Sequence, residues 1–275
     1  MERNFRALLE AQWDQQKFLC VGLDPSLDKI PEAVQRVNTR ETLIAFNRDL
    51  INATKDVVCA YKPNTAFYEA YGDEGWAALR ETIEYVHEQA RDVPVILDAK
   101  RADIGSTNEG YVTASFGHMR ADAITVQPYL GSEALAPFLA QKDKGIIVLC
   151  RTSNAGSGEI QDMIVDGEPL FMRVAQLVAG TWNQNNNCAL VVGATYPEEL
   201  RKVRAAVGEL PILIPGVGAQ GGDLEETVRA GRDSNGRGFI ISASRSIIYA
   251  SGGPDFANAA RAEAIRMNSI IAAVV

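Results

Sequence analysis

Short apolar runs recur along the whole chain, and each is bounded by a turn or by a segment with helical spacing. The runs are continuously apolar and do not alternate with polar residues, which is typical of parallel strands covered by helices. They occupy residues 18–24, 57–63, 93–100, 123–129, 145–152, 188–195, 211–218 and 238–245. The pattern therefore predicts eight β-strands.

The segments between these strands carry apolar residues at the spacing of amphipathic helices, as in TLIAFNRDLINAT, GWAALRETIEYVHEQAR and PEELRKVRAAV. Eight strand–helix units in about 250 residues match the size of a closed (β/α)8 barrel. We therefore predict an α/β fold, a (β/α)8 TIM barrel that forms a single domain over residues 1–275. Residues 1–16 are expected to form an extra helix that closes the barrel floor. A doubly wound open sheet is disfavoured because no GxGxxG follows the first strand.

Composition restricts the partners and the location. The chain has 275 residues and a net charge of -8, so a broad basic surface for nucleic acid is not expected. The amino-terminal segment lacks the apolar run of a signal peptide, and no stretch of eighteen uninterrupted apolar residues occurs. We expect a cytoplasmic protein that binds neither nucleic acid nor a membrane.

The cysteines and histidines argue against several kinds of site. The four cysteines are scattered without CxxC spacing, so we expect them to be reduced, buried packing residues. His87 and His118 both lie in predicted helices, where surface or packing roles are the ordinary ones. A histidine triad or a histidine-rich metal site is therefore not expected.

Charged side chains gather at the carboxyl ends of the predicted strands, where barrel enzymes place their active sites. Strand one ends in Asp24, strand two in Lys62, and strand three in Asp98 and Lys100. Because side chains alternate along a strand, Asp98 and Lys100 point to the same side, and Asp103 follows in the next loop. The alternative is that Asp98 and Lys100 form an ion pair that only stabilises the fold. Because burying charge is costly, a functional role for this cluster is favoured. For Asp24, which precedes a proline, a turn role stays open.

A glycine-rich stretch, PGVGAQGGD at 215–223, follows the seventh strand. Glycines allow a close backbone approach and leave N–H groups available to an anion, although they also serve in plain turns. Ser244 and Arg245 follow strand eight, and an arginine there can clamp a phosphate with two parallel hydrogen bonds. The sequence therefore predicts a phosphate site. The longest irregular segment, 152–168, follows strand five and is long enough to be functional.

The stretch LDAKRADIGST at 97–107 resembles the signature of the orotidine 5'-monophosphate decarboxylase family, with its D-x-K-x-x-D pattern. The other matching motifs occur in family order at the expected strand ends: GLDPS (22–26), YKPN (61–64), RTSN (151–154), PGVGAQGGD (215–223) and SASRSI (242–247). The resemblance covers nearly the whole chain and is to the bacterial branch of somewhat longer chains. It departs at Ala102, where that branch is expected to carry glycine, and every charged position is intact.

The resemblance implies a cofactor-free, metal-free homodimer that converts orotidine 5'-monophosphate to uridine 5'-monophosphate and CO2 in de novo pyrimidine biosynthesis. It makes Lys100 the proton donor at C6, where a fixed positive charge can stabilise the developing anion. Repulsion of the departing carboxylate by Asp98 would be secondary. The resemblance also places Lys62, Asp98 and Asp103 in the charged network, with Asp103 reaching the other subunit's active site. It places Asp24 at the ribose hydroxyls and Thr152 or Ser153 at the pyrimidine. It places Gln220 and Arg245, beside Ser244, at the phosphate.

Three rival interpretations remain from the residues alone. A sugar-phosphate aldolase would use Lys100 or Lys62 as a Schiff-base amine, but flanking aspartates raise the pKa of a lysine and disfavour this. A metal-dependent barrel enzyme could use Asp24, Asp98 and Asp103, but a lysine between the carboxylates would repel a divalent ion. A non-catalytic barrel would bind uridine or orotidine monophosphate without turnover.

Overall fold

Eight parallel strands form one sheet in the computed structural model, which describes residues 3–217 and 222–275. Each strand lies within one of the apolar runs, except that β3 extends one residue beyond its run to Arg101, and nearly every strand residue is buried, as the pattern predicts. The strands of this sheet are β1 (Leu19–Gly22), β2 (Ala60–Lys62), β3 (Ile96–Arg101), β4 (Ala123–Val126), β5 (Gly145–Arg151), β8 (Cys188–Val192), β9 (Ile212–Pro215) and β10 (Phe239–Ala243). The intervening β6 (Ile164–Val165) and β7 (Glu168–Pro169) form a separate antiparallel hairpin.

The sheet closes on itself. Its strand order is β2, β1, β10, β9, β8, β5, β4, β3, and the two end strands also meet. Tyr61 pairs with Val95 and Asn64 with Asp98, both in parallel, and the Asp98 N–H donates to the Pro63 carbonyl at 3.0 Å. The expected (β/α)8 barrel is therefore confirmed, and the doubly wound open sheet is wrong.

Helices connect the strands, and the long helices α2, α4 and α12 each bury an apolar stripe. The stripe of the last helix shows the expected three- and four-residue spacing, with Phe256, Ala260, Ala264, Met267 and Ile271 buried. The helices of the described chain are α1 (Phe5–Trp13), α2 (Thr39–Thr54), α3 (Ala66–Glu69), α4 (Gly72–Gln89), α5 (Gly105–Val112), α6 (Gly131–Leu139), α7 (Gly158–Gln161), α8 (Leu170–Leu177), α9 (Pro197–Val207), α10 (Leu224–Gly231), α11 (Arg245–Ile248) and α12 (Phe256–Ala272). Within the described ranges, no helix combines the length and apolar character needed to cross a membrane.

The amino-terminal helix α1 covers the barrel floor, as expected. The Phe5 N–H donates to the Asp143 carbonyl at 2.9 Å, just before β5. Arg3 Nε lies 2.8 Å from Asp122 Oδ1, just before β4, and Gln12 donates to the Asp92 carbonyl at 2.8 Å, before β3. Because these partners all precede their strands, α1 is fixed at the end of the barrel opposite the carboxyl edge.

The segment 152–168 is more ordered than the sequence indicates. It was expected to be irregular, yet it contains a 3-10 turn at Ala155–Ser157, helix α7 and most of the β6–β7 hairpin. Its polar and glycine-rich composition hides these elements because each is only two to four residues long.

All four cysteines are free and buried, which confirms their expected packing role. Burial raises the pKa of the Cys150 and Cys188 thiols to about 12. These groups therefore stay protonated at neutral pH and lack the thiolate that reactive cysteines need.

Candidate active site

The carboxylate of Asp98, near the end of β3, is the centre of a charged cluster at the carboxyl edge of the barrel. Lys62 Nζ, at the end of β2, donates to Asp98 Oδ2 at 2.9 Å. Lys100 Nζ donates to Asp98 Oδ1 at 2.7 Å. The Thr125 hydroxyl of β4 donates to the same Oδ1 at 2.9 Å. Two ammonium groups and one hydroxyl therefore fix this carboxylate from three neighbouring strands.

The backbone at Lys100 departs from a regular strand. Its φ is +47°, in the left-handed region, and the pairing of β3 with β4 shifts register between Leu97 and Arg101. The Lys100 N–H donates to the Thr125 hydroxyl at 2.9 Å, which supports this conformation. Asp98 and Lys100 thus lie together as predicted, but through a local irregularity and not through simple alternation. Such non-glycine conformations cost on the order of 1–3 kcal/mol and concentrate at functional sites.

Burial and charge set the protonation states of the cluster. Asp98 and Lys62 are only 8% and 6% exposed. Burial alone would raise the pKa of Asp98, but the charges of Lys62 and Lys100 outweigh it and hold that pKa well below its usual value. Burial alone would lower the pKa of Lys62, but the carboxylates of Asp98 and Asp24 raise it above its usual value. Both groups are therefore ionised at neutral pH.

Lys100 differs from Lys62 in its access to solvent. The side chain of Lys100 is 46% exposed, whereas that of Lys62 is 8% exposed. Both lysines donate a hydrogen bond to the carboxylate of Asp98, but of the two only Lys100 is also accessible to solvent. Lys100 is therefore the cation that a ligand at the barrel mouth can reach most easily.

Asp24 lies in the loop after β1, beside Lys62. Its Oδ1 accepts a hydrogen bond from the Asn64 N–H at 3.0 Å. A Cβ at Gly22 would lie 2.6 Å from Ser244 Cβ and 3.2 Å from Asp24 Oδ2, so only glycine lets these two side chains approach β1 so closely. Asp24 therefore lies in a loop, and its side chain is also part of the site.

A cavity of about 230 Å³ joins the charged cluster to the predicted phosphate site. Asp24 and Lys62 line one side, and Ser242, Ser244 and Arg245 line the other. Arg245 is exposed and makes no ion pair within residues 3–217 and 222–275. The predicted contact Gln220 lies outside the described residues.

Asp103 is not brought into contact with Lys100. It sits partly buried in the loop after β3, where its Oδ1 accepts from the Ile104 N–H at 2.8 Å and its own N–H donates to Asn108 Oδ1 at 2.9 Å. In the described part of the chain its carboxylate forms no ion pair. Within one chain, the charged network therefore consists of Lys62, Asp98 and Lys100.

The RTSN segment after β5 is held by ionic and amide contacts. Arg151, whose side chain is 3% exposed, lies 2.5 Å from Glu199 Oε2 and 3.3 Å from Asp162 Oδ1. The Thr152 N–H donates to Gln161 Oε1 at 2.9 Å, and Gln161 Nε2 donates to the Thr152 hydroxyl at 2.8 Å. Ser153 packs against the end of β8, where a Cβ at Gly193 would lie 2.8 Å from the Ser153 Cβ. The choice between Thr152 and Ser153 as the pyrimidine contact stays open.

Sequence reasoning missed Thr125 and Gln161, which orient predicted site residues. Threonine is common in β-strands, so Thr125 does not stand out by residue type. It is, however, a polar residue one position before the end of β4, and this position could have indicated a place in the site. Gln161 gives no comparable signal, because its partner lies nine residues earlier in an irregular segment. Among the described residues, no three His, Cys, Asp or Glu side chains come together where they could hold a metal ion.

A closed parallel barrel with a Lys–Asp–Lys cluster at its carboxyl edge has the architecture of a barrel enzyme, whose active site lies at that edge. The family model for orotidine 5'-phosphate decarboxylase / HUMPS matches residues 17–262, so the chain belongs to this family. The expected family, fold class and decarboxylase function are confirmed.

Relatives with the same family name are similar in sequence to this chain over nearly its full length. The orotidine 5'-phosphate decarboxylase of Cellvibrio japonicus is 48% identical over 269 residues, which cover 98% of this chain and 98% of the relative. That of Herpetosiphon aurantiacus is 50% identical over 260 residues, covering 94% and 93%. The solved structure of Leishmania donovani OMP decarboxylase is 40% identical, covers 98% of both chains and superposes with a TM-score of 0.84.

Proposed function

We propose that this chain removes CO2 from C6 of orotidine 5'-monophosphate, with Lys100 as the proton donor and uridine 5'-monophosphate as the product. The observation that carries this assignment is the shared carboxylate of Asp98, which accepts hydrogen bonds from Lys100 at 2.7 Å and from Lys62 at 2.9 Å. This arrangement holds a cation at the barrel mouth and fixes its direction before any ligand binds. Preorganised charge of this kind is the largest single source of catalysis in many enzymes.

The chemistry follows from where the charge develops. When the bond between C6 and the carboxylate breaks, its electron pair stays on C6 and CO2 departs. The ammonium of Lys100 stabilises this anion and then transfers a proton from Nζ to C6, which gives the uncharged uracil ring of uridine 5'-monophosphate and a neutral amine. Asp98 orients Lys100 throughout, and its negative charge beside the departing carboxylate adds a smaller, repulsive contribution.

Lys62 serves as a permanent counter-ion. Its raised pKa, which results from Asp98 and Asp24 against the opposing effect of burial, keeps it protonated. A Schiff-base lysine needs a neutral amine, so this environment opposes the aldolase interpretation for Lys62. The buried ammonium instead balances the charge of Asp98 and leaves Lys100 able to transfer its proton without leaving a buried carboxylate unpaired.

The remaining predicted residues orient the substrate. Asp24 and Lys62 line the same cavity as Ser244 and Arg245, so one bound nucleotide can place its ribose beside Asp24 and its phosphate beside Arg245. Gln220 is proposed as a further phosphate contact, and Thr152 or Ser153 as the contact to the pyrimidine. Binding energy from the remote phosphate can then be used to orient C6 against Lys100.

We further propose that the chain is a cytoplasmic homodimer whose single domain spans residues 1–275, and that Asp103 completes the active site of the partner subunit. The placement of Asp103 supports this, because its carboxylate lies on the loop after the catalytic strand and forms no ion pair in the described part of its own chain. The reaction needs no metal or cofactor in this scheme, since Lys100 supplies both the positive charge and the proton.

The test is a comparison of two substrates. Orotidine 5'-monophosphate should lose its orotate absorbance and release one CO2 per uridine 5'-monophosphate formed. Orotidine, which lacks the phosphate, should be consumed with a kcat/KM lower by about 10²-fold or more, because the phosphate contacts are lost. Absence of turnover with the nucleotide would refute the proposed reaction. Equal kcat/KM values for the two substrates would refute the role of the phosphate site.

A further inference from the structure

The loop that carries Asp24 is held by three tyrosine hydroxyls. Residues 23–26 have no regular secondary structure, and a short 3-10 turn begins at Leu27. The hydroxyl of Tyr68 donates to the Leu23 carbonyl at 2.9 Å. The hydroxyl of Tyr71 accepts from the Leu27 N–H at 3.0 Å. These contacts replace the backbone ladder that a strand or helix would supply.

Tyr249, directly after α11, makes the contacts nearest to Asp24. Its hydroxyl accepts from the Ser26 N–H at 2.7 Å and donates to the Asp24 carbonyl at 3.3 Å. Burial raises the pKa of this phenol to about 12, so the hydroxyl keeps its proton at neutral pH. The ring stacks on Phe46 at a centroid distance of 6.0 Å, which fixes it independently of the hydroxyl.

The carboxylate of Asp24 is itself only half satisfied. Oδ1 accepts from the Asn64 N–H, while Oδ2 accepts no hydrogen bond within residues 3–217 and 222–275. Asp24 is 9% exposed and lines the cavity that also contains Lys62 and Arg245. A carboxylate oxygen beside a cavity can accept a further hydrogen bond, and a sugar hydroxyl is a suitable donor.

We propose that Tyr249, assisted by Tyr71, is a positioning residue that determines how strongly the enzyme selects for a ribose hydroxyl. The two phenols fix the backbone at the Asp24 carbonyl and at the Ser26 and Leu27 N–H groups that follow it, and this holds Oδ2 in the direction that a ribose hydroxyl requires. The inference rests on the proposed contact between Asp24 and the ribose. A site that is built to bind a hydroxyl rejects an analogue without it, and this rejection depends on how rigidly the acceptor is held.

The experiment compares kcat/KM for orotidine 5'-monophosphate and for its 2'-deoxy and 3'-deoxy analogues. Wild-type enzyme is expected to disfavour the analogue that lacks the hydroxyl bound by Asp24 by about 10²-fold or more. Asp24→Ala identifies that analogue, because its penalty should nearly vanish in this variant. Tyr249→Phe removes the hydroxyl and keeps the stacked ring, and it should reduce the same penalty by about tenfold. The kcat/KM for the deoxy analogue itself should change less than twofold.

A matched control and a second variant keep the outcomes distinct. Tyr85→Phe removes a phenol hydroxyl that bonds the Asn52 side chain on the outer helices, and it should leave all three kcat/KM values unchanged. Tyr71→Phe should lower the penalty in the same direction as Tyr249→Phe and provides the test if the latter does not fold. If both variants reduce kcat/KM equally for all three substrates, the hydroxyls have only a structural role and the inference is wrong. If instead Asp24→Ala retains the full penalty, the proposed ribose contact itself fails.

Discussion

Thr125→Val is a sharp perturbation of the charged cluster because it replaces one hydroxyl by a methyl group of similar size. Thr125 is 1% exposed, and its hydroxyl makes two hydrogen bonds in the site. It donates to Asp98 Oδ1 at 2.9 Å and accepts from the Lys100 N–H at 2.9 Å. The substitution therefore removes a donor from a buried carboxylate and an acceptor from the residue with the left-handed backbone.

The expected magnitude follows from these two contacts. A hydrogen bond to a charged group contributes about 1.5–3 kcal/mol and a neutral one about 1 kcal/mol, so the free energy of unfolding should fall by about 3 kcal/mol. For a chain of this size the melting temperature should fall by about 6 °C. Looser orientation of Asp98 and Lys100 should also lower kcat/KM by about tenfold, which corresponds to about 1.4 kcal/mol of transition-state stabilisation.

The assay pairs thermal unfolding with the loss of orotate absorbance. Thr125→Ser keeps the hydroxyl and should restore most of kcat/KM. Thr42→Val removes another buried hydroxyl, which bonds the Asn38 carbonyl and the Arg36 N–H away from the site, so it should cost stability without lowering kcat/KM. Wild-type kcat/KM in Thr125→Val would refute the prediction that this hydroxyl orients Asp98 and Lys100.

Two further predictions concern the barrel floor and the proposed homodimer. Burial alone would raise the pKa of Asp122, but hydrogen bonds and charges from His87 and Arg3 outweigh this effect and lower the pKa to about 2. The contribution of the Asp122 carboxylate to folding stability is therefore present above the unfolded pKa of about 4 and is lost as the pH falls towards 2. Urea unfolding at pH 4 and pH 2.5 should show that wild type loses about 1.4 kcal/mol more over this interval than Asp122→Asn, and equal losses would contradict the pairing. In the proposed homodimer, mixing inactive Lys100→Ala and Asp103→Ala subunits should restore part of the activity, since each mixed dimer would contain one intact site; no recovery would count against a shared site.

The strands and the charged residues at their ends could be predicted because both follow from local patterns. Continuous apolar runs locate the strands, and the two-residue spacing of Asp98 and Lys100 predicts that they lie together, although a local backbone irregularity brings them together in the structure. Lys62 could be added because strand two precedes strand three and the carboxyl ends of parallel strands meet at one edge. These inferences need no knowledge of distant contacts.

The supporting residues could not be predicted because their partners are distant in sequence or depend on irregular backbone. Ser26 and Tyr249 are 223 positions apart, and nothing near either residue indicates the contact. The left-handed conformation of Lys100 follows from its bond to Thr125, which itself requires the register shift between β3 and β4. Tertiary structure, not local propensity, determines these features.

The initial rate of decarboxylation by Lys100→Ala, followed as the loss of orotate absorbance, tests the central role of Lys100 most directly. Because the Lys100 side chain is 46% exposed and Lys62 still pairs with Asp98, the variant should remain folded. Its kcat/KM should fall by about 10³-fold or more, since the positive charge and the proton are both lost. Lys142→Ala, an exposed lysine before β5 at the opposite end of the barrel, should retain wild-type kcat/KM. A folded Lys100→Ala enzyme that keeps more than about a tenth of the wild-type kcat/KM would contradict the assignment.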